Sequence, residues 1–128
     1  MKYLLDTHTY YWFRQSPAQI PSKAFDLLTD ASTEALLSLV TPWELAIKVG
    51  FGKLDAMELL IEFENRESAA GFAMIPVTTA QVIHSGLLPS HHRDPFDRLL
   101  IAQAFDLRVP IVSNDRTFDL YGVQRIWD

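Results

Sequence analysis

Asp6, Glu44, Asp97 and Asp115 are the residues of this chain whose types and positions suit chemistry best. Carboxylates drawn to one place repel, and they need protons or cations to coexist. A hard divalent ion with oxygen ligands answers that need, and Mg²⁺ or Mn²⁺ suits such a site. Ions held this way polarise a phosphodiester, generate hydroxide from water and steady the leaving oxygen. The chemistry that four gathered acids would support is therefore phosphodiester hydrolysis.

The elements that must gather them are legible as an alternation of apolar runs and helical stretches. Lys2–Leu5 reads as a strand that ends in Asp6. A helix over Thr7–Arg14 follows, then a second over Lys23–Thr29 with Ser22 as its cap. Ala35–Val40 reads as the second strand, and Thr41-Pro42-Trp43-Glu44 as a helix start with Thr as cap, Pro first and Glu third. Gly50-Phe51-Gly52 ends that helix. Asp55 opens another, which Gly71 terminates. Phe72–Val77 is the third strand, and Thr79 caps a helix to about Leu87. After a polar loop, Pro89–Asp94, a further helix starts at Asp94-Pro95-Phe96-Asp97. Val109–Val112 is the fourth strand, Asn114–Leu120 a turn with a short helix, and Val123–Trp127 an edge strand. Such alternation implies a parallel sheet with helices on both faces. Ligands of these sheets bind beyond the carboxyl ends of the strands. Asp6 and Asp115 follow strands, and Glu44 and Asp97 sit in first helical turns at the same edge. The placement of Asp97 depends on the Pro89–Asp94 loop carrying the chain back to that rim.

Each acid alone also has an ordinary structural reading. Glu44 fits the third position of a capping box. Asp97 fits a first-turn acid favoured by the helix dipole. Asp115, after Ser113-Asn114, fits a turn residue. Their joint placement is what favours a site. Asp94 reads as a helix cap. His8 reads as an exposed residue of the first helix, and His91 and His92 as loop residues near any substrate. No zinc spacing, Ser-His-Asp arrangement or Gly-rich phosphate loop is present.

Composition bounds the answer further. A length of 128 residues with 48% apolar content fits one domain, residues 1–128, with a sizeable core. The absence of cysteine excludes disulfides and thiolate metal sites. The apolar run in MKYLLDTH is too short for a signal peptide, and no segment reaches the ~20 apolar residues of a membrane helix. The expectation is a cytoplasmic protein. The net charge of -5 argues against a broad basic surface for nucleic acid. Setting the four site acids aside leaves 12 of the 16 acids against 11 bases, which is nearly balanced.

The stretches LLDTHTYYW, TPWELAIKVGFGKL, HHRDPFDRLLIAQA and SNDRTFDLYGV resemble, in order, the successive motifs of PIN-domain toxins of the VapC type. DPFDRLLIAQA is the most specific of them. The resemblance implies a three-layer α/β/α sandwich around a parallel sheet. It implies a divalent-metal endoribonuclease that acts on RNA, with a cognate antitoxin that inhibits it, as a homodimer or a toxin–antitoxin hetero-oligomer. The family's acidic positions fall on Asp6, Glu44, Asp97 and Asp115, and its small hydroxyl residue on Ser113, where it can hold a metal-bound water. Thr9-Tyr10-Tyr11 departs from the aliphatic residues commoner before Trp12. Phosphates cannot approach four carboxylates without cations between them, so basic residues beside the acids, Arg93, Arg98 and Arg116, are the candidate RNA contacts.

Two other readings compete. A dehalogenase-type phosphotransfer domain wants a second Asp two residues after the first, where this chain has His8, and a receiver type wants a late Lys, whereas the last is Lys53. A non-catalytic binding module would use Tyr10, Tyr11, Trp12, Phe13 and Trp43 as an interaction groove.

Overall fold

Tyr3 and Leu5 pack into one layer of core, and Leu4 between them into another. This alternation, repeated by Ala35 and Leu37 against Leu36 and by Val112 against Ile111, is the signature of a sheet covered on both faces. The computed structural model describes residues 1–128. Its five strands are β1 (Lys2–Leu5), β2 (Glu34–Ser38), β3 (Ala73–Ile75), β4 (Ile111–Val112) and β5 (Arg125–Ile126). All are parallel, in the order β3-β2-β1-β4-β5. The order reverses between β1 and β4, which is where open parallel sheets leave a crevice beyond their carboxyl ends.

The helices are α1 (Thr7–Gln15), α2 (Ser22–Thr29), α3 (Val40–Gly50), α4 (Met57–Leu60), α5 (Phe63–Ala69), α6 (Thr79–Leu87) and α7 (Pro95–Leu107). Side chains of α1, α2, α4 and α5 pack on the Tyr3 and Leu5 face, and those of α7 on the Leu4 face. The result is the three-layer α/β/α sandwich around a parallel sheet. No helix is long and apolar enough to cross a membrane.

Several boundaries differ from the sequence reading, each for a local reason. Strand β2 stops at Ser38, whose hydroxyl accepts from the Val40 N–H (3.0 Å), and α3 begins at Val40. Thr41 is therefore a buried residue inside the helix, not its cap, with its hydroxyl 3.5 Å from that of Thr7. Glu44 moves beyond the third position, so the capping-box reading of it no longer applies. Thr78, not Thr79, caps α6 in a reciprocal capping box with Gln81. Ser22 is the first residue of α2, behind Pro21, and makes no cap bond. The helix expected from Asp55 to Gly71 is two, broken at Ile61 and Glu62, where Glu62 adopts φ 52°. Arg66 stabilises the break by donating to the carbonyls of Glu58, Leu59 and Ile61 (2.9, 2.6 and 3.1 Å). These are carbonyls that a continuing helix would have satisfied. Strands β3, β4 and β5 are each shorter than the apolar runs that carry them.

The Thr9-Tyr10-Tyr11 departure has a structural explanation. The Thr9 hydroxyl donates to the Val112 carbonyl (3.0 Å), tying α1 to β4. The fully buried Tyr10 donates to Glu67, which is itself fully buried on α5 and also receives Arg14 Nε (2.9 Å) and Nη2. Burial and the facing Glu67 carboxylate push the Tyr10 phenol up to about 12, so it remains a donor. Tyr11, Trp12 and Phe13 are half-buried and pack against the core, although Trp12 also lines a cleft beside Asp6 and Phe13 a separate hollow. Removing Glu67 leaves Arg14 and Tyr10 without their buried acceptor. Breaking such a pair from one side costs about 3 kcal/mol. Thermal denaturation of Glu67→Ala is expected to show a melting temperature lower by roughly 10 °C. A change within about 2 °C would mean that this cluster does not hold α1 to α5.

Candidate active site

Asp6 is the residue at which β1 becomes α1. Its backbone N–H still follows the sheet, donating to the Val112 carbonyl (3.2 Å), while its side chain caps the helix through the Thr9 N–H (2.7 Å). The second carboxylate oxygen accepts from the hydroxyl of Ser113, which is fully buried. Burial pushes the Asp6 carboxyl above its usual range, against the lowering effect of those two donors. Ser113 Oγ in turn accepts from the Asp115 N–H (3.0 Å), so one hydroxyl links the acid after β1 to the acid after β4. Asp115 caps the 3-10 turn Arg116–Tyr121 through the Thr117 N–H (2.9 Å). Burial works to raise its carboxyl, but Thr117 and His92 outweigh it, and the group lies below the usual range.

Glu44 comes from the second turn of α3 and is 3% exposed. One oxygen pairs with Lys48 Nζ at 2.8 Å, one helical turn on. The other, Oε1, is buried with no hydrogen-bond partner. Such an atom is costly in a folded protein and is a place where a cation or a donor would be favoured. Asp97 is the third residue of α7, which starts at Pro95 under the Asp94 cap (Phe96 N–H, 2.8 Å). Burial first, and then the charges of Asp94, Asp6, Glu44 and Asp115, push the Asp97 carboxyl up to about 8. All four acids named by the sequence thus face one cleft, of about 480 Å³, and Asp94 lines it as a fifth. A slightly larger hollow, about 520 Å³, opens beside Tyr3, Ala35 and Phe72 at the opposite ends of the strands, away from the acids. The charge density marks the smaller one as the site.

The other candidates separate. Arg116 lines the cleft and is exposed, and Arg93 is exposed in the loop before α7. Arg98 does not face the cleft. Its guanidinium donates to the carbonyls of Ser85, Gly86, Leu88, Pro89 and His92 (2.7–3.4 Å), where it closes the end of α6 and braces the loop. All its donors are engaged there, so the structure places it as a brace of the loop, outside the cleft. His8 lines the cleft and is exposed, beside Trp12 at 4.7 Å. His91 turns onto Tyr121 (5.1 Å), whereas His92 points inward, its Nε2 2.8 Å from Asp115 and 3.0 Å from Asp97. Trp43 lies outside, half exposed, edge-on to Phe96 at 4.7 Å. Sequence reasoning missed Lys48, whose signal was its i+4 spacing from Glu44. It also missed the inward aim of His92, for which the sequence carries no signal.

A divalent cation fits these residues. The donors are carboxylate oxygens, which suit a hard ion. The unpartnered Glu44 Oε1 and the raised Asp97 carboxyl are the two places where the protein's own donors fall short of the negative charge.

Comparison with known proteins gives the same picture. The family model for the PIN domain matches residues 3–123. No curated protein matches the sequence. Among solved structures, the chain is similar to one in VapBC2 from Rickettsia felis bound to a fragment of promoter DNA. There the identity is 17%, all of both chains are covered and the TM-score is 0.71. It is similar to one in DNA-bound VapBC from Salmonella typhimurium, at 20% identity over 98% of this chain and 97% of that one, TM-score 0.70. FitAcB from Neisseria gonorrhoeae also matches, at 18% identity, 98% and 94% coverage and TM-score 0.67. At these identities the likeness is one of fold. The family model spans nearly the whole chain and every acid of the cleft, and the chain belongs to the PIN-domain family.

Proposed function

We propose that this PIN domain is the toxin of a toxin–antitoxin pair and a divalent-metal-dependent endoribonuclease that hydrolyses RNA phosphodiester bonds. The observation that carries the reading is the convergence of four acids from four separate elements on one cleft, with Glu44 Oε1 buried and unpartnered. Asp6, Glu44, Asp97 and Asp115 would hold the ion, Mg²⁺ or Mn²⁺. When bound, such an ion supplies Lewis-acid polarisation of a phosphate and a nucleophile from water at neutral pH. The chain's own residues do the rest. Ser113 and the Thr9 N–H fix the rotamer of Asp6. Lys48 holds one oxygen of Glu44 and leaves the other without a partner. Arg116, exposed on the cleft wall, and Arg93, exposed in the loop before α7, would supply positive charge for the RNA backbone. A guanidinium suits a phosphate, whose oxygens its planar fork of N–H donors can meet in pairs, and such contacts position the backbone without reading its sequence.

The toxin assignment is supported by the VapC-type motifs and by the fold shared with chains of VapBC assemblies. By the same likeness the partner is a cognate antitoxin, in a hetero-oligomer or with a homodimer of this chain, and the location is cytoplasmic. An antitoxin tail with a basic side chain would match the acidic cleft. Expressed alone, the protein is expected to slow growth, and co-expression of its antitoxin to relieve that. Growth arrest that persists with the antitoxin bound would remove the toxin–antitoxin reading and leave the nuclease intact.

The metal reading is tested by titration calorimetry with Mn²⁺ and by cleavage of RNA. Asp6→Asn and Asp97→Asn each remove an oxygen ligand and a charge, and each is expected to weaken Mn²⁺ binding about tenfold or more. EDTA is expected to abolish cleavage. Undiminished Mn²⁺ affinity in both variants, or cleavage in EDTA, overturns the assignment.

A pH prediction follows from Asp97 in the metal-free protein. Its folded-state carboxyl is pushed up to about 8, above the ordinary value near 4, so folding favours its protonated form. That contribution is complete below about pH 4 and is lost as pH rises towards 8. In EDTA, Asp97→Asn is therefore expected to melt above the wild type by a margin that grows from pH 4 to pH 8. A margin that is flat or reversed would mean that the other acids do not press on Asp97.

A further inference from the structure

His92 stands within bonding reach of two of the four acids, and by distance alone His92, Asp97 and Asp115 form a group able to hold a metal. Its ring has a second contact that decides its role. The Asp94 backbone N–H donates to Nδ1 at 3.1 Å. An N–H bonds only to a ring nitrogen that carries no proton, so the ring proton is on Nε2. Nε2 is then a donor aimed between Asp97 Oδ2 and Asp115 Oδ2, with no lone pair for an ion.

The ring is also held firmly. The His92 N–H donates to Tyr121 Oη (2.7 Å), which itself donates to the Pro89 carbonyl (2.6 Å). The His92 carbonyl accepts from Arg98 (3.1 Å), and the ring packs on Phe118 with centroids 5.9 Å apart. Asp94 is fixed in turn as the cap of α7. A surface histidine resting against acids by chance would not be anchored at its backbone, its Nδ1 and its ring face together.

We propose that His92 is a positioning residue: its Nε2–H bridges Asp97 and Asp115 from behind and sets their orientation, and the ring is not itself a ligand. The inference rests on the metal reading above and deepens it. Two neighbouring carboxylates without a shared donor would swing apart. One N–H occupies a single lone-pair direction on each Oδ2, and a carboxylate has about four, so ligand positions remain. The residues would then offer a cation oxygen donors alone, which would favour Mg²⁺ or Mn²⁺ over the softer ions that an imidazole ligand suits. The arrangement is that of an outer-sphere partner orienting a ligand.

The experiment is Mn²⁺ calorimetry on the wild type, His92→Ala and His92→Gln, with ¹⁵N NMR of the wild-type histidine rings. A Gln amide nitrogen reaches about as far as Nε2 and donates likewise. His92→Ala is expected to weaken Mn²⁺ binding about tenfold or more, and His92→Gln to recover it to within about threefold. The NMR spectra are expected to show Nε2 protonated and Nδ1 bare both in EDTA and in saturating Mg²⁺. Unchanged or tighter binding by His92→Ala, equal losses in both variants, or loss of the Nε2 proton on adding Mg²⁺ overturns the proposal. The NMR measurement does not depend on either variant folding. Absence of Mn²⁺ binding by the wild type overturns the metal reading, and this proposal with it, whereas wild-type binding with the wrong variant pattern overturns the role of His92 alone.

Discussion

Mutual repulsion among the acids at the carboxyl edge of the sheet is the constraint that the rest of this structure answers. Four carboxylates and a fifth, Asp94, share one cleft, and each is kept there by a donor the fold supplies. Asp6, Asp94 and Asp115 accept backbone N–H groups at the starts of α1, α7 and the 3-10 turn, and Asp97 sits in the first turn of α7. The free N–H groups and partial positive charge of a helix start favour an anion there. Glu44 is the exception, because it lies deeper in its helix, and it is the acid that has Lys48 beside it. Negative charge is thus spread over helix starts, one lysine, one serine and one histidine. What those donors leave uncovered lies at Glu44 Oε1, which has no partner, and at Asp97, whose carboxyl is raised.

The sheet makes this gathering possible with little sequence. Strand β4 has two residues and β5 two, yet β4 brings Asp115 beside Asp6 because its register sets Leu5 opposite Val112. The reversal of strand order between β1 and β4 opens the crevice at that junction. Helix α7 returns Asp97 to the same rim, and the apolar residues Leu99–Ile101 and Ala104 seat it on the sheet.

What could be read from the sequence divides along the same line. Alternation of apolar runs revealed the parallel sheet, and strand ends revealed Asp6 and Asp115, because both follow from local pattern. The Asp94-Pro95 start of α7 was legible because cap and proline act within a few residues. Thr41 misled because Thr-Pro is an equally good start two residues later, and the choice was made by Ser38 turning back on Val40, inside the core. The break after α4 was hidden because its cause, Arg66 donating backward to three carbonyls, has no periodic signature. Lys48 and the aim of His92 were hidden for a related reason. One lies on a helix whose rotation had to be known, and the other at the tip of a loop whose shape is set by Tyr121, some thirty residues on.

Arg98 shows how closely site and scaffold are joined. It follows Asp97 directly, and consecutive helical residues point about 100° apart, so one turn of α7 sends a carboxylate into the cleft and a guanidinium out behind the loop. The five carbonyls it binds belong to the end of α6 and to the segment carrying His92. A lysine could not replace it, since a compact ammonium with three donors cannot fork across carbonyls so far apart. The loop between α6 and α7 is therefore built rather than loose. Its backbone is pinned by Arg98 and Tyr121, and that rigidity is what allows an imidazole at its tip to meet two carboxylates at fixed distance. Arg98, read from the sequence as one of three candidate RNA contacts, thus braces the loop from the side away from the cleft.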